Sequence, residues 1–72
     1  MSAPAWVLKG VGGVWYAGRH PRDAGAVALT HESGYARRFN DAIAAEEEYR
    51  RILAAQAGRP VRRRTQLFVR PA

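Results

Sequence analysis

Residues 41–57 read DAIAAEEEYRRILAAQA, and their apolar side chains recur at the spacing of an α-helix. At about 100° per residue these side chains fall within one stripe, and most of the charged ones lie outside it. The stripe consists of Ala42, Ala45, Tyr49, Ile52 and Leu53, and the charged residues outside it include Glu47, Glu48, Arg50 and Arg51. The pattern predicts an amphipathic helix whose apolar stripe must pack against another element.

Both ends of this helix carry recognisable signals. Asn40 is a suitable N-cap residue, and Asp41 in the first turn would interact favourably with the positive end of the helix dipole. Gly58 and Pro60 are residue types that commonly follow a helix C-terminus. We therefore expect the helix to run over residues 41–57.

The acidic triplet at 46–48 allows two interpretations, a docking site for a basic partner or a solvated helix face. Glu46 with Arg50 and Glu47 with Arg51 stand at i,i+4, in the order that stabilises a helix by about 0.3 kcal/mol per pair. Since two of the three glutamates have such an arginine partner, we expect a solvated face.

The segment AWVLKGVGGVWYAG predicts a β-hairpin over residues 6–17. Two strand-forming runs, 6–9 and 14–17, flank the glycine-rich sequence GVGG, and glycine reaches positive φ angles without strain. A phosphate-binding loop would lead from a strand into a helix, whereas here a second strand follows. We therefore favour the hairpin turn.

Residues 18–34 form a predicted connector rich in turn-forming residues. Within it the sequence AVALT at 26–30 is either a short strand or a tethered loop. Period-two alternation in YARRF, residues 35–39, then predicts a third strand or a strand-like entry into the helix. One face would carry Tyr35, Arg37 and Phe39, and the other Ala36 and Arg38. The β-prone sequence TQLFVR predicts a closing strand over 65–70.

These elements predict an α+β fold in a single domain over residues 1–72. A helix with one apolar stripe and a sheet with one apolar face each need the other. We expect a small antiparallel sheet of three to four strands with one helix packed on one face, in the order β-β-(β)-β-α-β.

Composition narrows the possible functions. The 72-residue chain has no cysteine, which excludes disulfides and thiolate metal sites, and no apolar run approaches the roughly 20 residues that span a bilayer. Its two histidines, His20 and His31, have no carboxylate cluster at ligand spacing around them. We therefore expect no metal, no other cofactor, no small-molecule substrate, no membrane partner and no catalytic residue.

The net charge of +6 is unevenly distributed. Residues 58–72 carry five basic side chains and no acidic one, and eleven of the chain's twelve basic residues are arginine, which binds phosphates and carboxylates through a planar fork. The candidate partner-binding arginines are Arg37, Arg38, Arg59, Arg62, Arg63, Arg64 and Arg70. Alternatively, arginines near a sheet edge protect it from pairing with another chain. In an extended chain the triplet 62–64 would divide between two faces, whereas in a loop it could face one partner.

Three aromatic residues, Trp6, Trp15 and Tyr16, complete the candidate surface. Alternation would place Trp6 and Leu8 on one face of the first strand, and Trp15 and Tyr16 on opposite faces of the second. Because one helix covers one face of the sheet, some of these aromatic side chains must point away from it. Such a residue either stacks on bases or anchors a protein partner, or it only contributes to the core.

The hairpin AWVLKGVGGVWYAG, followed by YARRFNDAIAAEEEYRRI and then by QLFVR, resembles very small phage and prophage proteins. Some phage proteins of this size are anti-CRISPR inhibitors, which bind a CRISPR effector complex and block target DNA. The resemblance implies a host CRISPR effector or similar nucleoprotein complex as the partner, in the cytoplasm of a bacterial host cell. Many such inhibitors are acidic mimics of DNA, so a chain of charge +6 would have to act differently.

Two hypotheses of function follow. In the first, a non-enzymatic phage-type protein inhibits a host defence nucleoprotein complex by steric occlusion, through a surface rich in arginine and aromatic residues. In the second, a small basic protein binds nucleic acid directly through phosphate contacts, without sequence specificity. The glutamates on the single predicted helix fit poorly in a DNA groove, which favours the first hypothesis.

Overall fold

The computed structural model describes residues 5–72, so residues 1–4 of the predicted domain lie outside the described residues. These residues contain one sheet and one α-helix. The strands are β1 (Trp6–Gly10), β2 (Trp15–His20), β3 (Asp23–Thr30) and β4 (Leu67–Pro71), the helix is α1 (Ala42–Ala55), and 3₁₀ turns lie at Ser33–Tyr35 and Val61–Arg63. The strands are antiparallel in the spatial order β3-β2-β1-β4. The predicted α+β class is confirmed.

Glycine makes the turn between β1 and β2 possible. Gly12 and Gly13 have φ angles of 84° and 74°, in the left-handed region that other residues rarely adopt. Lys9 pairs with Trp15 across the turn. β2 then continues to His20, beyond the predicted end of the hairpin at residue 17.

A second hairpin occupies much of the predicted connector 18–34. β3 starts at Asp23 and pairs with β2 over most of its length, so the sequence AVALT at 26–30 lies in a strand. Asp23 Oδ1 accepts a hydrogen bond of 2.9 Å from the Gly25 N–H. The sequence left this strand open as an alternative to a loop, because alanine and glycine have low β-propensity and the segment gains its conformation from pairing with β2.

Residues 37–39 fill a gap between β1 and β2, which pair next to the turn and diverge beyond it. Trp6 of β1 forms a bridge with Phe39, with N–H to carbonyl distances of 2.9 and 2.8 Å. The Arg37 N–H donates to the Tyr16 carbonyl of β2 at 2.9 Å. This segment, which we call the wedge, therefore hydrogen-bonds to both strands.

The strand predicted over residues 35–39 is wrong, because the wedge makes isolated hydrogen bonds in place of a ladder. Tyr35 belongs to a 3₁₀ turn and is 71% exposed, whereas Phe39 is buried in the core, so these two aromatic residues do not share a face. The alternation does hold over the four residues of 36–39. Arg37 and Phe39 face the helix, and Ala36 and Arg38 face the opposite side.

The helix begins one residue later than predicted. Asp41 is the N-cap: its backbone is extended, and its Oδ1 accepts a hydrogen bond of 2.7 Å from the Ala44 N–H. Asn40, the predicted cap, lies one residue before it. Either side chain can cap a helix, and in the structure Asp41 is the residue whose side chain reaches the first turn.

The core lies between α1 and one face of the sheet. Its buried cluster consists of Leu8, Tyr16, Phe39, Ala45, Ile52 and Leu67. Trp6, Val27, Ala44, Tyr49 and Val69 pack around it and are partly buried. The apolar stripe of the helix thus packs on β1, β3 and β4, on Tyr16 of β2 and on the wedge.

A buried amide ties the C-terminal end of α1 to the sheet. Gln56 is 1% exposed, and its Nε2 donates to the Gly25 carbonyl at 2.7 Å and to Thr65 Oγ1 at 2.9 Å. Its Oε1 accepts from the Thr65 N–H at 2.8 Å. One side chain therefore joins β3 and the segment leading into β4 to the helix end.

The variant Gln56→Ala should lower the free energy of unfolding by about 2–3 kcal/mol, because it leaves the half-buried Thr65 N–H without its partner and opens a cavity where the buried Gln56 side chain lies. Urea unfolding followed by circular dichroism measures this change. Gln66→Ala is the matched control, since Gln66 is exposed and should change stability by less than about 0.5 kcal/mol. Equal effects of the two variants would show that the amide does not have this structural role.

Candidate partner-binding face

The face of the sheet opposite the helix, which we call the open face, carries two rows of side chains. One row crosses the four strands through Thr30, Trp15, Lys9 and Phe68, which are successive partners in the strand register. The next row contains Val7 and its partner Arg70. Two residues along a strand span about 7 Å, so the two rows lie that far apart.

Cations lie over both aromatic rings of the first row. Lys9 Nζ is 5.6 Å from the centroid of the Trp15 ring, and the Arg70 guanidinium is 5.6 Å from that of Phe68. Phe68 remains 46% exposed. Cation–π contacts of this length orient the basic side chains and leave the charged groups in solvent. The open face therefore presents aromatic surface and positive charge together.

A cleft of about 430 Å³ lies between the open face and the chain from Ser33 to Arg38. Its lining residues are Val7, Lys9, Trp15, Ser33, Ala36, Arg38, Arg70, Pro71 and Ala72. Val7 and Ala36 are buried, and three cationic side chains line the cleft with them. Of the part of the chain that the structure describes, no aspartate or glutamate lines it. The lining of the cleft is therefore positive.

Four of the candidate arginines make contacts within the chain, and one of them is Arg70, which lies over Phe68 and whose Nη1 donates to the Val69 carbonyl at 3.0 Å. Arg37 lies 3.6 Å from Glu48 and stacks on Phe39. Arg59 Nη1 donates to the Gly25 carbonyl at 3.2 Å. Arg64 donates to the carbonyls of Ala57 and Arg59 at 3.0 Å each. The contacts of Arg37, Arg59 and Arg64 therefore stabilise the core and the C-terminal end of the helix.

The arginine triplet is neither extended nor presented as one unit. Arg62 and Arg63 belong to a 3₁₀ turn, and Arg64 folds back onto the end of the helix. Arg62 and Arg64 line a groove beside the first hairpin turn, with Leu29 and other residues. Arg38 and Arg70, by contrast, meet in the cleft. The predicted arginine surface is thus divided between two places.

Of the three candidate aromatics, Trp15 alone lines the cleft. Tyr16 is completely buried between sheet and helix, so its place on a partner-binding surface is corrected. Trp6 is partly buried and packs against the core cluster on the helix side. Phe68, which was not among the candidates, joins Trp15 on the open face, and its alternation with the buried Leu67 would have indicated this.

Glu48 is a buried carboxylate, 3% exposed, and sequence analysis placed it wrongly on a solvated face. It accepts a hydrogen bond of 2.7 Å from the Tyr16 hydroxyl. Three guanidinium groups surround it: Arg19 at 3.5 Å, Arg37 at 3.6 Å and Arg51 at 3.9 Å. Arg51 therefore forms its ion pair with Glu48 at i,i+3. The predicted ion pair of Arg51 with Glu47, both in the described part of the chain, is not formed.

The position of Glu48 follows from the helix geometry. It stands three residues after Ala45 and four before Ile52, both fully buried, so the same face carries all three. That spacing was the signal in the sequence that could have predicted the burial of Glu48. The neighbouring arginines offset the free energy that desolvation of its carboxylate costs. The predicted pair of Glu46 with Arg50 is present at 3.6 Å.

Burial raises the pKa of Tyr16 to about 12, and the hydrogen bond to Glu48 and its negative charge act in the same direction. Arg37 and Arg19 oppose the rise. The phenol therefore stays protonated as the donor to Glu48. This cluster consists of groups that satisfy one another, and it has a structural role.

Comparisons with protein-family models, with curated proteins and with solved structures found no significant match. Within residues 5–72, no helix is long and apolar enough to cross a membrane. Among the same residues, no three side chains of histidine, aspartate or glutamate are grouped so that they could hold a metal ion.

The burial of the Tyr16 hydroxyl, together with its hydrogen bond to Glu48, should give stability a defined pH dependence. Because the folded-state pKa is raised from 10.0 to about 12, the contribution is complete below pH 10 and is lost as the pH rises towards 12. Its size is on the order of 2–3 kcal/mol. The difference in unfolding free energy between wild type and Tyr16→Phe, measured by urea unfolding, should therefore shrink between about pH 10 and pH 12.

The exposed Tyr35 supplies the control for this measurement. Tyr35→Phe should differ little from the wild type at any pH. A difference for Tyr16→Phe that stays constant from pH 8 to about pH 12 would contradict a buried, protonated phenol.

Proposed function

We propose that this chain is a non-enzymatic binding protein that attaches through its open face to a host nucleoprotein complex, such as a CRISPR effector, and blocks target DNA sterically. The observation that carries the proposal is the cleft, where Trp15 lies among three cationic side chains with no acidic residue in the described lining. The resemblance of the sequence to small phage proteins supports the choice of complex.

The charge of the open face defines what it can bind. A positive cleft attracts polyanions and repels the positively charged channels through which nucleoprotein complexes guide DNA. The chain would therefore attach at bound nucleic acid or at an acidic rim of the complex. Attachment at the mouth of the channel would then exclude duplex by volume.

The composition of the open face is that of an interface hot spot. Tryptophan and arginine dominate such spots because they combine a large contact area with hydrogen bonding. Here Lys9 and Arg70 already rest on aromatic rings, so ordering these side chains on binding costs less entropy than ordering free ones.

The size of the chain is sufficient for steric occlusion. Its extents are 42 × 23 × 22 Å. With a rise of about 3.4 Å per base pair, the long dimension covers roughly 12 base pairs of duplex. A body of this size at the entrance of a DNA channel would stop the duplex without imitating it.

Removal of two charges from the open face should abolish attachment. We compare Arg38→Ala/Arg70→Ala with Arg62→Ala/Arg63→Ala, which removes the same charge from the exposed 3₁₀ turn. Purified CRISPR effector complex is incubated with each protein, and binding of target duplex is measured by mobility shift. The wild type and the turn variant should inhibit alike, and the open-face variant should require at least about tenfold more protein.

Two outcomes would contradict the proposal. Inhibition that survives the open-face substitutions but is lost in the turn variant would move the site to the 3₁₀ turn. An absence of binding by the wild type to any nucleoprotein complex of the proposed host, with the protein shown to be folded by circular dichroism, would exclude the function.

A further inference from the structure

We propose that the cleft on the open face binds a single-stranded segment of nucleic acid, with a base against Trp15 and phosphates on Lys9, Arg38 and Arg70. The inference rests on the proposed function, because it identifies unpaired nucleic acid as the part of the nucleoprotein complex that is recognised. The cleft is therefore a binding site of defined ligand chemistry, an exposed base with its flanking phosphates.

The lining of the cleft separates apolar from charged groups in the way such a ligand requires. Val7 and Ala36 are buried and provide an apolar floor beside the indole of Trp15. The cations come from β1, β4 and the wedge, so they converge from three parts of the chain. A nucleotide has the same division, a flat apolar base and a charged phosphate.

The register of the sheet makes a stacking platform. Trp15 and Phe68 flank Lys9 in one row, on strands that lie about 4.8 Å apart, so their Cα atoms are roughly 10 Å from each other. Arg70 lies in the next row, about 7 Å away along the strand direction. A single strand crossing the sheet could place bases on both rings and its backbone along the row of Arg70.

Lys9 has two positions available in this arrangement. In the free protein its ammonium lies over the indole ring at 5.6 Å. Its side chain is long and flexible, so an incoming base can take the ring face while the ammonium moves to a phosphate. Binding would thus exchange a cation–π contact for base stacking and an ion pair.

Neither duplex DNA nor a helical peptide fits the cleft as well. In a duplex the bases are stacked inside the helix, so Trp15 and Phe68 would find no exposed base face. An α-helix is about 10 Å across and presents no flat ring face, so it matches the exposed indole and the three cations less well than a base with its phosphate does. An unpaired base with its sugar and phosphate is the better match.

The test uses fluorescein-labelled oligonucleotides of eight nucleotides, oligo(dT) and oligo(rU), with an eight-base-pair duplex as comparison. Fluorescence anisotropy at about 50 and 200 mM salt gives the affinity and its salt dependence. We expect both single strands to bind at least tenfold more tightly than the duplex. Three phosphate contacts predict a slope of about −2 for log affinity against log salt.

Substitutions then locate the ligand. Trp15→Ala should weaken single-strand binding by about tenfold, and Trp15→Phe should retain most of it, because stacking needs an aromatic ring. Trp6→Phe is the matched control on the helix side and should bind normally. The chain has two tryptophans, so in Trp6→Phe the quenching of fluorescence on titration with unlabelled oligo(dT) reports on Trp15 directly.

Three results would overturn the inference: equal or tighter binding of the duplex, unchanged affinity of Trp15→Ala, or equal competition by a peptide of eight glutamates. If the oligonucleotides fail to bind while Arg38→Ala/Arg70→Ala still loses inhibition of the complex, the proposed function stands and the open face binds protein. If the oligonucleotides bind but that variant inhibits normally, the single-strand site stands and the proposed function is wrong.

Discussion

Glu48 carries its carboxylate from the helix into the space above β2, where the Tyr16 hydroxyl and three arginines meet it. A buried charge is tolerated when its desolvation is offset by close opposite charges and hydrogen bonds, and this site supplies both. Arg19 comes from β2 and Arg37 from the wedge, so one side chain connects three separate segments of the chain. If the helix rotated or slid along the sheet, the buried Glu48 carboxylate would lose its hydrogen bond to Tyr16 and its contacts with the arginines.

The same contact determines what the other side of the molecule presents. Arg37 is drawn towards Glu48, and the alternation of the wedge then turns Arg38 to the open face, beside the cleft. The wedge also separates β1 from β2 beyond their turn, which brings Ala36 into the lining of the cleft. A structural cluster on one face thus positions a candidate binding residue on the other.

The arginines accordingly have different roles despite their common chemistry. Arg19, Arg37 and Arg51 neutralise a buried carboxylate, and Arg59 and Arg64 bind carbonyl groups near the C-terminal end of the helix. Lys9, Arg38 and Arg70 are directed into the cleft. The net charge of +6 is therefore a poor guide to where a partner binds, because several cations serve the fold itself.

Local patterns in the sequence predicted the first hairpin, the helix and the closing strand, because glycine at positive φ, the apolar stripe and a short β-prone run are local properties. They also placed Trp15 and Tyr16 on opposite faces of β2. Contacts between distant segments account for the other features. β3 becomes a strand by pairing with β2, and the wedge fills the gap between two strands. Arginines distant in sequence allow Glu48 to be buried. These features depend on contacts between residues that are distant in sequence, and a local sequence pattern carries no information about such contacts.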